Sequence, residues 1–196
     1  MGVGEASHNS KIAESIESQL TKIAGQKAVV TKAETFTQEA PANYEWQANG
    51  DGTSTLVEID ANNGYSITTS KSISMNAYVD VESYVTDTDD VTLKVTYNNA
   101  DALDPSQKGE TTETIAYADL DTYSSTDVYD GNKIVSIVQA PAQISDAITI
   151  QIIEDGVVKG EITTSVADYC VQAAESSDAE LAALAKAVYD YGKATN

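Results

Sequence analysis

The spacing of hydrophobic positions changes twice along this chain. Over residues 9–24, Ile12, Ile16, Leu20 and Ile23 recur at three- and four-residue steps, which places them on one stripe of a helix. Asn9 or Ser10 can cap its start and Gly25 can close it. From about residue 28 to 164 the period shortens to two, the mark of strands with alternating faces. Short β-rich runs cover 28–36, 54–59 and 65–69, separated by Asn49-Gly50-Asp51-Gly52 and Asn62-Asn63-Gly64 turns. A longer run over 72–84 places Ile73, Met75, Ala77, Val79 and Val81 on one face, and another over 91–97 aligns Val91, Leu93, Val95 and Tyr97. A polar loop is expected over 98–106. Two hairpins follow, one turning at Asp130-Gly131 and one joining 148–153 to 157–162 across Glu154-Asp155-Gly156.

Past residue 164 the helical period returns. Ser165 opens a short helix with Val166, Ala167, Cys170, Val171 and Ala174 available to one face. Ser177-Asp178-Ala179-Glu180 has the spacing of a capping box. Behind it Leu181, Leu184, Ala185, Val188 and Tyr191 form a second stripe, with Gly192 as its stop. Many short strands at regular spacing argue for a sandwich rather than a parallel sheet with crossover helices. The expected fold is therefore mostly β with α. It is an immunoglobulin-like β-sandwich over 28–164, preceded by a helical segment over 1–27 and followed by a helical hairpin over 165–196 that packs on it.

Composition narrows what such a fold can do. The 196 residues are 41 % hydrophobic and 21 % charged, a globular balance. All eleven basic residues are Lys, against thirty-one acidic ones, for a net charge of −20. Nucleic-acid affinity rests on neutralising phosphates, so a nucleic-acid partner is not expected, nor is an anionic membrane surface. No stretch approaches the roughly 20 apolar residues of a membrane span. Residues 1–5 lack a basic region followed by an apolar run, so they do not read as a signal peptide. The chain is expected either to be made in the cytosol or to have lost a signal.

Chemistry is sparse. His8 is the only His and Cys170 the only Cys, too few for a Cys–His or Ser–His nucleophile system or a zinc site. One Cys allows no internal disulfide, and its place in an apolar pattern suits a small buried hydrophobe. Paired carboxylates of the glycosidase kind need one member held protonated, whereas the acids here lie in polar loops or alternate outward. No catalytic residue and no cofactor are expected. Calcium is the one ion to consider, at Asp87-Thr88-Asp89-Asp90 and Asp119-Leu120-Asp121, but Asp also favours turns for local reasons. Eleven Tyr and one Trp leave an aromatic contact site open. Tyr44, Trp46 and Tyr65 form a platform for sugar rings on one reading and core filling on the other.

The C-terminal helices carry a family likeness. Ser165-Val166-Ala167-Asp168-Tyr169-Cys170, then Glu180-Leu181-Ala182-Ala183-Leu184-Ala185-Lys186-Ala187 and Asp190-Tyr191-Gly192, resemble a module of secreted and cell-surface proteins of gut Firmicutes, ruminococci and their relatives. Upstream, Ser72-Ile73-Ser74-Met75-Asn76-Ala77-Tyr78 is similar to that family's apolar strand with a central Asn, and residues 146–164 to its last hairpin. The resemblance implies an extracellular accessory or adhesive module with a protein or glycan partner. Two alternatives stand beside it: a self-assembling subunit of a virion or filament, and a carbohydrate-binding module.

Overall fold

The computed structural model describes residues 30–33, 39–69, 73–99 and 109–195. His8, the 9–24 helix and most of the 98–106 loop lie outside them. Of the described residues, 30–33, 39–40 and 44–58 group as one compact unit, and 41–43 with those from 59 onward as another.

In the first unit, β1 (Val30–Ala33), β2 (Tyr44–Ala48) and β3 (Thr53–Glu58) form an antiparallel sheet in the order β1–β3–β2. The turn between β2 and β3 uses Gly50 and Gly52 at φ 77° and 83°, values that cost glycine little. Asp51 closes it by accepting from the Thr53 amide at 3.0 Å, and its hydrogen bonds to Thr53 hold the carboxyl below its ordinary pKa. Leu56 of β3 is buried opposite Trp46.

Among its described residues the second unit holds seven strands and two α-helices. The strands are β4 (Gly64–Thr69), β5 (Ile73–Val79), β6 (Val91–Asn99), β7 (Gly109–Ala116), β8 (Lys133–Gln139), β9 (Ile148–Glu154) and β10 (Val157–Thr164). They make two antiparallel sheets, β4–β5–β8 and β10–β9–β6–β7. Alternation decides which face is buried. Ile73, Met75, Ala77 and Val79 of β5 join Val91, Leu93 and Val95 of β6 and Ile148, Ile150 and Ile152 of β9 in one apolar cluster. The chain is thus mostly β with α, as the sequence indicates.

α1 (Val166–Ala173) and α2 (Ala179–Ala194) contribute to the same cluster through Val166, Ala167, Cys170, Ala173, Ala185 and Val188. Cys170 is buried, as its apolar setting requires, and desolvation pushes its thiol pKa up. Ser165 caps α1: its hydroxyl accepts from the Asp168 amide at 3.0 Å and donates to the Asp168 carboxylate at 2.7 Å. The capping expected at Ser177 falls instead on Asp178, whose carboxylate reaches the amides of Glu180 and Leu181 at 2.9 and 3.2 Å.

Four further sequence expectations change. Val171 and Ala174 are exposed because α1 buries Val166, Ala167, Cys170 and Ala173 instead, and Leu184 and Tyr191 are exposed because the buried line of α2 runs through Ala185, Val188 and Gly192. Gly192 does not stop the helix; it lies inside it, where a β-carbon would collide with Ile144 and approach the Pro141 carbonyl to 3.0 Å. The run over 72–84 is a strand only to Val79, after which Val81–Ser83 coil into a 3₁₀ turn and keep Val81 buried. The Asp130-Gly131 turn does not join two strands. β8 follows it, but residues 117–132 fold as an excursion whose strand-like pairing with β8 is an isolated bridge between Thr122 and Lys133. The last hairpin forms as expected, with Asp155 and Gly156 at φ 52° and 79°.

Two devices pin the second unit. Asn43, itself at φ 68°, covers the outer edge of β10. Its backbone amide donates to the Lys159 carbonyl at 2.8 Å, and its side chain exchanges hydrogen bonds with the Glu161 backbone at 2.8 and 2.9 Å. An edge covered in this way is closed to strand pairing. Glu154 plays the second part by accepting from the amides of Thr86 and Asp87 at 3.1 and 3.2 Å, with Lys159 3.5 Å away.

Candidate binding surface

The inner faces of the sheets are packed, which leaves the outward positions of the strands as the surface. In β5 the positions between the buried ones are Ser74, Asn76 and Tyr78. Their cross-strand partners are Thr68, Ser66 and Gly64 on β4, and Val138, Ser136 and Ile134 on β8. Directly paired residues share a face, so these nine positions make up the outer surface of the β4–β5–β8 sheet. None is charged.

Hydrogen bonds tie this surface together across all three strands. The Tyr78 and Ser66 hydroxyls are 2.7 Å apart, the Asn76 amide donates to Ser66 at 3.4 Å, and Ser136 donates to the Asn76 carbonyl oxygen at 2.7 Å. Thr68, Ser136 and Val138 are exposed, and Ser66, Ser74, Asn76, Tyr78 and Ile134 are half-buried.

At one end the 117–132 excursion folds back and lays two more tyrosines beside Tyr78. The Tyr123 ring is centred 4.3 Å from it and the Tyr129 ring 5.8 Å from it, nearly parallel. Gly64 makes room for Tyr129: a β-carbon there would lie within 2.8 Å of three atoms of that ring. The excursion is held by backbone bonds from Tyr123 to Asn132 (2.8 Å), from Gly131 to Tyr123 (2.9 Å) and from Ile134 to Asp121 (2.8 Å). Asp127 accepts from the Tyr129 amide and the Tyr123 hydroxyl, both at 2.9 Å. The Tyr129 amide is the main reason its carboxyl sits below its ordinary pKa.

The aromatics singled out from sequence fall in two places. Tyr44 and Trp46 lie two residues apart on one face of β2 in the first unit, both half-buried. Tyr65 belongs to the second unit and packs half-buried against its apolar cluster, where desolvation raises its pKa. Tyr78, Tyr123 and Tyr129 were missed. They are up to 51 residues apart in sequence, and only the general richness in Tyr pointed toward them.

The acidic runs serve turns. Asp87 accepts from the Asp89 amide at 3.1 Å, and Asp119 ends a 3₁₀ turn. Among the described residues no group of three or more His, Cys, Asp or Glu is placed to hold a metal ion. A polar cavity of about 190 Å³ lies between Asp80, Glu82, Tyr117 and Lys133. Its groups bond within the fold: Tyr117 donates to Glu82 at 2.9 Å, and Lys133 donates to Thr122 at 3.0 Å while lying 4.2 Å from the Tyr117 ring centre. Among the described residues no helix is long and apolar enough to cross a membrane.

Residues 1–36 match the family model of ribosomal protein L5. Over 33 residues the chain is 67 % identical to the large ribosomal subunit protein uL5 of Desulfotalea psychrophila, a match covering 17 % of this chain and 18 % of that protein. Of the matched segment the structure describes only β1. No solved structure matches the chain. Charge divides at the same boundary: residues 1–36 carry four Lys and four acids, and the rest carries seven Lys and twenty-seven acids. The described residues past β1 are therefore the acidic part, and the family match ends before them.

Proposed function

We propose that this chain is a non-catalytic recognition module of a bacterial cell surface, adhesive or structural in role, built on an immunoglobulin-like β-sandwich. The observation that carries the reading is the pair of sheets, β4–β5–β8 and β10–β9–β6–β7, which share one apolar cluster. In that arrangement the third and fourth strands of the unit leave the first sheet for the second, and the fifth returns, as in Greek-key sandwiches. Such a scaffold buries its inner faces and presents its outer ones, which suits binding better than chemistry.

The carboxylates support the non-catalytic part. Asp51, Asp127 and Glu154 are all displaced downward and all serve backbone amides, whereas a glycosidase acid must be displaced upward. The surface address rests on the resemblance of the α1–α2 segment to modules of gut Firmicutes. A net charge of −20 supports it by disfavouring the nucleic-acid partner of a ribosomal role.

The test has two arms. Antibodies to the purified chain should label intact, unpermeabilised cells of the organism that makes it. Beads coated with the chain should be retained on immobilised mucus glycoprotein without releasing reducing sugar. Labelling only after permeabilisation, or binding to ribosomes with the salt dependence of phosphate contacts, would sink the reading.

A further inference from the structure

We infer that the outer face of β4–β5–β8, together with the tyrosine row across its end, binds an uncharged glycan chain. The inference deepens the recognition reading and rests on it.

Charge is the first argument. Of the nine positions of this face Thr68, Ser136 and Val138 are exposed, five are half-buried and Gly64 is buried beside the Tyr129 ring, and none carries a charge, in a unit otherwise dense in carboxylates. A cationic partner would be drawn to the acidic loops instead, and an anionic one is repelled by the chain as a whole. The complement of an uncharged polar strip is an uncharged polar ligand.

Functional groups are the second. Ser66, Thr68, Ser74, Asn76 and Ser136 offer hydroxyls and an amide, groups that both donate and accept, as sugar hydroxyls do. Asn76 is already oriented by Ser136 and Ser66, so less side-chain freedom is lost on binding. Aromatic surface is the third. Sugar rings also have an apolar face of C–H groups, and Tyr78, flanked by Tyr123 and Tyr129, supplies carbon surface at the end of the strip. Three strands about 4.8 Å apart, with four residue steps of about 3.4 Å, give a strip about 10 Å wide and 14 Å long. That is room for a short oligosaccharide.

Affinity electrophoresis of the full chain through gels containing dextran, xylan or mannan, with polygalacturonate as the anionic control, tests this. At least one neutral polysaccharide should retard the chain and polygalacturonate should not. Ser136→Glu, at an exposed site, should weaken retardation by about tenfold or more, because the new carboxylate is desolvated without a partner. Its melting temperature should stay at the wild-type value. Gly64→Ala should weaken it as well by displacing Tyr129. Three results overturn the inference: no retardation by any neutral polysaccharide, retardation that Ser136→Glu leaves unchanged, or a Ser136→Glu effect on self-association alone. Bead retention on mucus glycoprotein that survives Ser136→Glu would reject this face while leaving the recognition reading intact.

Discussion

Replacing Gly192 with alanine sets two well-measured effects against each other. In an ordinary helix interior the change stabilises by about 1 kcal/mol, because alanine restricts the unfolded chain and glycine does not. Here the added β-carbon would overlap Ile144, which is fully buried, and come within 3.0 Å of the Pro141 backbone carbonyl. Overpacking of this kind costs about 1–3 kcal/mol. A buried side chain and a backbone atom have little room to yield, which places the cost in the upper half of that range. The net expectation is a loss of about 1–2 kcal/mol. For a chain of this size that lowers the melting temperature by roughly 2–8 °C, followed by circular dichroism and by urea titration with an unchanged slope. Ala187→Gly, at an exposed site in the same helix, calibrates the intrinsic helix effect at about 1 kcal/mol. A Gly192→Ala protein that melts at or above the wild-type temperature would refute the docking of α2 on Ile144.

Three further outcomes are expected. Gln139 is 1 % exposed, and neither atom of its amide has a hydrogen-bond partner among the described residues, so Gln139→Met should stabilise by about 1–2 kcal/mol; a destabilised variant in urea unfolding would contradict that. Burial alone would raise the Glu154 pKa, but the Asp87 and Thr86 amides and Lys159 outweigh it and hold the group below its ordinary value. Its contribution is fully present above the unfolded value of about 4.3 and is lost as pH falls through the depressed folded value. Glu154→Gln should therefore destabilise at pH 7 and flatten the stability profile on the acid side, and an unchanged profile would count against the role given to it. Gly64→Ala should change the near-ultraviolet circular dichroism of the tyrosines with little change in melting temperature, since the Tyr129 side chain can move aside. A large loss of stability would mean that the ring is fixed more firmly than an excursion allows.

Sequence reasoning worked where a local rule is also the global one. The β5 and β6 faces were legible because Ile73 to Val79 and Val91 to Val95 alternate without interruption, and each strand buries one side. The last hairpin was legible because Asp155-Gly156 accepts the positive φ its turn needs. β7 was not legible. Gly-Glu-Thr-Thr-Glu-Thr-Ile-Ala has only a weak apolar alternation, and it is a strand because β6 pairs with it. The stripe of α2 was legible at Leu181, Ala185 and Val188 but not at its edge, where Leu184 and Tyr191 face out and Gly192 faces in. Gly192 counts as apolar contact surface only when the shape of Ile144 is known, and that contact turns Leu184 and Tyr191 outward.

The candidate surface was the least legible feature. Its polar half is written in alternate residues of strands read mainly for their buried side, and its tyrosines come from segments that meet only in the fold. Tyr65, by contrast, was visible from the start and packs against the core cluster.

The most direct test is to map where ligand binds. The ¹⁵N-labelled full chain would be titrated with oligosaccharides cut from whichever neutral polysaccharide retards it, while backbone amide shifts are followed. The largest changes should fall on residues 64–68, 74–78 and 134–138 and on Tyr123 and Tyr129. Changes centred instead on Tyr44 and Trp46, or on the 80–90 loops, with the β4–β5–β8 amides unmoved, would contradict the account.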